Sequence, residues 1–152
     1  MAVVPTDVSY LRFVLHKDTD GILMARKRTG QRTGLIPEVR ELRALLRVLV
    51  EHGIERIRLT GEDPGERSDL AELVQLVAGL EGVREVAMST RGIGLADRIE
   101  DLAERGLGTI SFHLDTLKPE RYQEITGKDA FDSVWASVDQ ALSRDLIVKL
   151  NE

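Results

Sequence analysis

The stretch Ile57 to Leu70, I-R-L-T-G-E-D-P-G-E-R-S-D-L, decides how this chain folds. Ile57 and Leu59 alternate with Arg56 and Arg58, the period of a short strand with one apolar face. Thr60 to Gly65 then brings two glycines, a proline and two acids, which ends regular structure. Ser68 is an apt N-cap, and Leu70, Leu73, Val74 and Val77 recur at helical spacing after it. The segment therefore reads as strand, acidic turn, helix. In a chain of βαβ units such a turn lies at the carboxyl end of the sheet, where sites are built. A purely structural turn is the alternative.

The same pattern extends in both directions. Tyr10 to His16 reads as a first strand. Lys17 to Gly34 has no periodicity and carries Lys17, Arg26, Lys27, Arg28 and Arg32 against Asp18 and Asp20, so it reads as a long basic loop. Pro37 suits a helix start, and Val39, Leu42, Leu45, Leu46 and Leu49 give that helix an apolar face closed by Gly53. His52, beside Gly53, reads as a structural group at the helix end. Val83 to Ser89 is a strand, Thr90-Arg91-Gly92 a turn, and Leu95, Ile99 and Leu102 mark a helix that Gly106 ends. Thr109 to Leu114 is a strand, followed by Asp115-Thr116. Pro119 opens a short helix with Tyr122 and Ile125, and Gly127 breaks it. Phe131 to Leu142 forms another helix, with Val134, Trp135, Val138 and Leu142 expected inward. Leu146 to Leu150 is a fifth strand. Alternating strands and helices predict a mostly parallel α/β sheet with every strand-to-helix turn on one side. Five strands are too few to close an eight-stranded barrel, so an open, partial βα barrel is expected, as a single domain over 1–152.

Composition narrows the function. The chain has 152 residues, 42% hydrophobic and 31% charged, as in a globular domain with a real core. Its net charge of −5 argues against nucleic acid or an anionic membrane as partner. No apolar run reaches membrane-spanning length and no secretory leader is evident, so the expected location is the cytoplasm. Cysteine is absent, which removes disulfides, a thiol nucleophile and any thiolate-held metal or cluster. No Walker-type P-loop, G-x-S-x-G elbow or H-E-x-x-H is present.

A series of short segments resembles the GTP 3′,8-cyclases of molybdenum-cofactor biosynthesis (MoaA), which are radical S-adenosylmethionine (SAM) enzymes. Tyr10-Leu11-Arg12 is similar to the family's first strand. Ile57 to Leu70 resembles I-R-L-T-G-G-E-P-L-L-R-x-D-L, and Ser89 to Gly92 resembles T-T-N-G. Leu114 to Leu117 resembles S-L-D-S-L, Ile125 to Gly127 I-T-G, and Val148 to Asn151 V-K-L-N. Each match is short, but together they run in order from Tyr10 to the end. The resemblance implies a partial barrel whose first long loop holds an iron–sulfur cluster through C-x3-C-x2-C. Here those three positions fall on Thr19, Leu23 and Arg26, and none can replace a thiolate on iron. The family's G-G-E-P becomes Gly61-Glu62-Asp63-Pro64, its T-T-N-G asparagine becomes Arg91, and the serine before Leu114 becomes His113.

These departures set the expectations. Radical chemistry is not expected, because reductive cleavage of S-adenosylmethionine needs an electron from a cluster. The chain reads as a cluster-less relative acting as a binding or regulatory module, or as a remnant. The alternative is a small metal-dependent or nucleotide-binding enzyme. A surviving cofactor site would be lined by Gly61, Glu62, Asp63, Thr90, Arg91, His113 and Asp115, with S-adenosylmethionine bound weakly or not at all. From the residues alone, Glu62 and Asp63 read first as solvated turn acids. His16, His113 and Asp115 could meet one of them as a metal site. The basic loop could hold a phosphate through Arg26, Lys27 and Arg28, or be solvated and mobile. Trp135 reads as core. Leu146 to Leu150 and Tyr10 to Leu15 are expected as the two sheet edges, the first offering itself to a homodimer or to a partner that continues the sheet.

Overall fold

The computed structural model of the chain describes residues 10–15, 23–24, 39–61 and 63–151. Strand β1 (Tyr10–Leu15) is followed by β2 (Leu23–Met24), helix α1 (Val39–Glu51), β3 (Arg56–Gly61), α2 (Leu70–Ala78) and β4 (Glu85–Thr90). Then come α3 (Ile99–Glu104), β5 (Thr109–His113), α4 (Pro119–Thr126), α5 (Phe131–Leu142) and β6 (Ile147–Asn151). The sheet order is β2-β1-β3-β4-β5-β6. The pairings β1–β3, β3–β4, β4–β5 and β5–β6 are all parallel, giving the open α/β sheet of an incomplete barrel.

Two expectations about the edges need correction. The stretch 17–34 is not wholly loop, because Leu23 and Met24 pair antiparallel with Leu15 and Val14. An apolar pair beside the open backbone of β1 finds its hydrogen bonds there. Consequently β1 is not an edge; among the described residues β2 is. At the other end β6 is the edge, as expected. The order of the remaining residues between Lys17 and Gly34 falls outside the described ones.

The core lies on one face of the sheet. Ile57, Leu59, Val86, Met88, Ile110 and Phe112 are buried with Leu46 of α1, Leu70, Leu73, Val74 and Val77 of α2, Ile99 and Leu102 of α3, and Val138 and Ala141 of α5. Each fully buried large apolar side chain contributes roughly 1.5–3 kcal/mol, so this layer carries most of the stability. The opposite face shows the intervening residues: Arg56 and Arg58 of β3, Glu85 and Ser89 of β4, Thr109, Ser111 and His113 of β5, and Lys149 of β6. Strand alternation thus separates an apolar helix-bearing face from a polar one.

Helix ends and buried faces follow the local sequence signals with a few exceptions. Helix α2 starts at Leu70 with Asp69, not Ser68, at the N-cap. The Asp69 carboxylate makes no cap bond because Arg67 holds both its oxygens, at 2.8 and 2.6 Å. His52 does close α1, its Nδ1 lying 2.6 Å from the Val48 carbonyl oxygen. Trp135 and Leu142, expected inward on α5, are 46% and 64% exposed. The buried side of α5 is Val134, Ser137, Val138 and Ala141.

Candidate functional site at the carboxyl end of the sheet

The turn after β3 does not leave its acid in water. Asp63 is buried, and both carboxylate oxygens are occupied. Oδ1 accepts from the Gly65 amide at 3.0 Å and from the Thr90 hydroxyl at 2.5 Å. Oδ2 accepts from the Arg91 amide at 3.1 Å and from Arg91 Nε at 3.2 Å. Arg91 also reaches Glu66, at 3.3 Å. Pro64–Glu66 forms a single 3-10 turn capped by Asp63. Charge-assisted bonds of this kind are the stronger class, and here they tie the carboxyl ends of β3 and β4 together. Asp63 therefore departs from the solvated reading, and its lone pairs are committed to the protein.

The turn after β4 is as tightly fitted. The Thr90 hydroxyl accepts from the Gly92 amide at 3.0 Å, and Ser137 donates to the Gly92 carbonyl at 2.6 Å. Gly92 has φ +78°, and a Cβ there would stand 2.7 Å from the Phe112 ring. Backbone and ring meet too closely for any other residue.

Tyr122 of α4 packs beside this rim in a small second core with Leu114 and Val134. Burial pushes its phenol above the ordinary 10.0; the Arg91 charge opposes that rise, and Asp115 and Asp63 add to it. In the sequence this tyrosine is marked only as a residue of a short helix. Its only signal was its place eight residues beyond Leu114, where a short helix folds back over the strand end.

The polar face holds a second feature. Arg58 donates from Nη1 to Ser89 at 3.1 Å and to Ser111 at 2.9 Å, so one guanidinium spans three strands. Arg56, Arg58, Glu85 and Lys149 line a cleft there with Ile57 and Ala87. Three cations face one acid; Glu85 accepts from the Thr109 hydroxyl at 2.8 Å through Oε1 and lies 3.9 Å from Arg56 Nε through Oε2. The alternation of Arg56 and Arg58 was visible in the sequence; their neighbours Ser89, Ser111 and Lys149 were not, because register is a property of the folded sheet.

The expected site residues distribute as follows. Asp63, Thr90 and Arg91 come together. Gly61 ends β3 and is exposed. His113 ends β5 and Asp115 follows two residues later, both exposed; no hydrogen bond or ion pair joins them to the Asp63 group among the described residues. Glu62, His16, Thr19, Arg26, Lys27 and Arg28 lie outside those residues. Leu23 sits in β2. Among the described residues no group of three or more His, Asp or Glu is placed to hold a metal ion.

The donor set does not fit an iron–sulfur cluster. None of the 152 residues is a cysteine, a leucine has no donor atom, and an arginine brings a charge of the wrong sign. The Asp63 carboxylate, saturated by Gly65, Thr90 and Arg91, is not available to a ligand ammonium group either.

Comparison with known proteins agrees with this architecture. Residues 19–151 match the Radical SAM superfamily. The GTP 3′,8-cyclase of Synechococcus elongatus is 43% identical over 112 residues, covering 73% of this chain and 34% of that protein. The GTP 3′,8-cyclase of Moorella thermoacetica is 40% identical over 117 residues, covering 76% and 36%. The chain thus spans about a third of the length of these curated relatives. Among solved structures, HydG, a maturase of the FeFe-hydrogenase, superposes with a TM-score of 0.60 at 17% identity, over 82% of this chain and 30% of that one.

Proposed function

Because this chain belongs to the radical SAM superfamily and contains no cysteine, we propose that it is a cluster-less member: a nucleotide-binding or regulatory module without radical chemistry. The observation that carries this reading is the missing donor set. Generating a radical from S-adenosylmethionine requires a reducing cluster, and side chains alone supply no such electron. What this chain's own residues can do is bind. The guanidinium of Arg58, pre-oriented by Ser89 and Ser111, stands with Arg56 and Lys149 on one face of the sheet. Such a group favours the phosphates of an anionic ligand, and the relatives named GTP cyclases make GTP the first to try. The second reading, a small metal-dependent enzyme, would have to recruit His113 and Asp115 to groups they do not meet among the described residues.

The test has two arms. Protein reconstituted anaerobically with iron and sulfide should stay colourless and form no 5′-deoxyadenosine from S-adenosylmethionine; a stoichiometric cluster absorption band overturns the cluster-less reading. Calorimetry with GTP should detect binding that weakens about tenfold or more in Arg58→Ala, equivalent to about 1.4 kcal/mol. GTP binding unchanged by that substitution would remove Arg58 from the site, and no binding at all would remove the nucleotide.

A further inference from the structure

Asp63 and Arg91 stand at two positions where this chain departs from the cyclase motifs. Aspartate replaces the glutamate of G-G-E-P, and arginine the asparagine of T-T-N-G. The fold brings both departures into one ion pair, with Arg91 Nε 3.2 Å from Asp63 Oδ2. We propose that Arg91 is a resident cation, which fills a ready-made seat in this rim and closes it to ligands carrying an ammonium or guanidinium group.

The seat does not depend on the arginine side chain. Three of the four donors to Asp63 are the Gly65 amide, the buried Thr90 hydroxyl and the Arg91 amide. The turn that carries the acid is held on its other side by Arg98, at the start of α3. Arg98 donates to the carbonyls of Gly65 and Arg67, each at 2.7 Å. Packing fixes the carboxylate further: a Cβ at Gly65 would stand 2.8 Å from the Thr90 hydroxyl oxygen and 3.1 Å from Asp63 Oδ1. The fourth donor differs in kind. The Arg91 side chain is 42% exposed where that of Asp63 is 2%, so the guanidinium reaches a buried acid from the solvent side. It gives one bond to Asp63 and one to Glu66, and not the parallel fork in which arginine holds a single carboxylate. Without that side chain a rigid, buried carboxylate would face an opening to water. A buried charge left unpaired is costly, and a fixed group binds with little further ordering cost. Both effects favour a small cation with N–H donors in the vacated place. The chain's own arginine thus decides which class of ligand this rim admits.

Arg91→Ala empties the seat and keeps the amide. Methylguanidinium, at several times its dissociation constant, should raise the melting temperature of this variant saturably, by about 2–4 °C. Tetramethylammonium, equal in charge but without N–H donors, should not, and the wild-type chain should respond to neither. Adding Asp63→Asn to Arg91→Ala should abolish the response. Tyr122 gives a separate signal of occupancy. Burial raises its phenol and the Arg91 charge opposes that rise. In a Tyr10→Phe background, Arg91→Ala should therefore titrate higher, and methylguanidinium should bring the phenol back down. The proposal is overturned if the variant responds to neither cation or to both alike, if wild type responds equally, if the response survives Asp63→Asn, or if the phenol does not move. Should Arg91→Ala not fold unaided, its refolding yield in the two salts decides: recovery with methylguanidinium alone supports the seat, and recovery with both or neither overturns it.

Discussion

Asp63 shows how much a single side chain's partners matter. Adjacent acids before a proline look like a wet turn, and nothing within five residues says otherwise. The donors that change the answer, Thr90 and Arg91, lie 27 and 28 residues away along the chain, so the burial of Asp63 was illegible without the sheet. Asp63→Ala should cost on the order of 3 kcal/mol in urea unfolding, since it leaves a buried hydroxyl and two amides without an acceptor. Arg91→Ala should cost only about 1 kcal/mol, because its side chain is 42% exposed. Equal losses would mean that the ion pair, and not the acceptor atoms, holds the rim. Tyr122 supplies a pH signature. Its phenol is held protonated above the ordinary 10.0. Below that value folded and unfolded chains are both protonated there, and the contribution is constant. As pH rises past it, the unfolded phenol ionises first, so stability falls. Tyr122→Phe should flatten that alkaline loss, and a phenolate absorbance titration of Tyr10→Phe, which leaves one tyrosine, should read the raised value directly.

At the scale of the element, periodicity located the five α-helices and five parallel strands of the described residues, but it did not always find which side a helix buries. On α5 the apolar residues Val134, Trp135, Val138 and Leu142 form a stripe wider than the contact. The helix is rotated so that a serine is buried and a tryptophan is not. Ser137 is drawn inward by the Gly92 carbonyl, a partner invisible to a hydropathy pattern. Trp135 instead stacks on Phe131, with centroids 6.1 Å apart and planes at 9°. The sole tryptophan should therefore be readily quenched by acrylamide, and Trp135→Ala should cost far less than Phe112→Ala. The latter empties a fully buried site and should cost about 3–5 kcal/mol. Comparable costs for the two would show that Trp135 is covered in solution.

For the whole molecule, strand-helix alternation was enough to give the parallel sheet, because each unit repeats the same constraint. The antiparallel β2 was missed because two residues carry no period. The phase of the β6 ladder makes a prediction at this scale. The amides of Val148 and Leu150 should exchange fast and those of Lys149 and Asn151 slowly. Uniform protection along the strand would contradict the assigned ladder.

The division of the sheet into two faces has a consequence for inheritance. Stability resides between the sheet and its helices, where Ile57, Leu59, Met88, Ile110 and Phe112 are fixed by packing. The opposite face, with Arg56, Ser89 and Lys149, carries polar and charged groups and little of the core. A lineage can therefore rewrite that face, or give up a reaction, without renegotiating the fold that displays it.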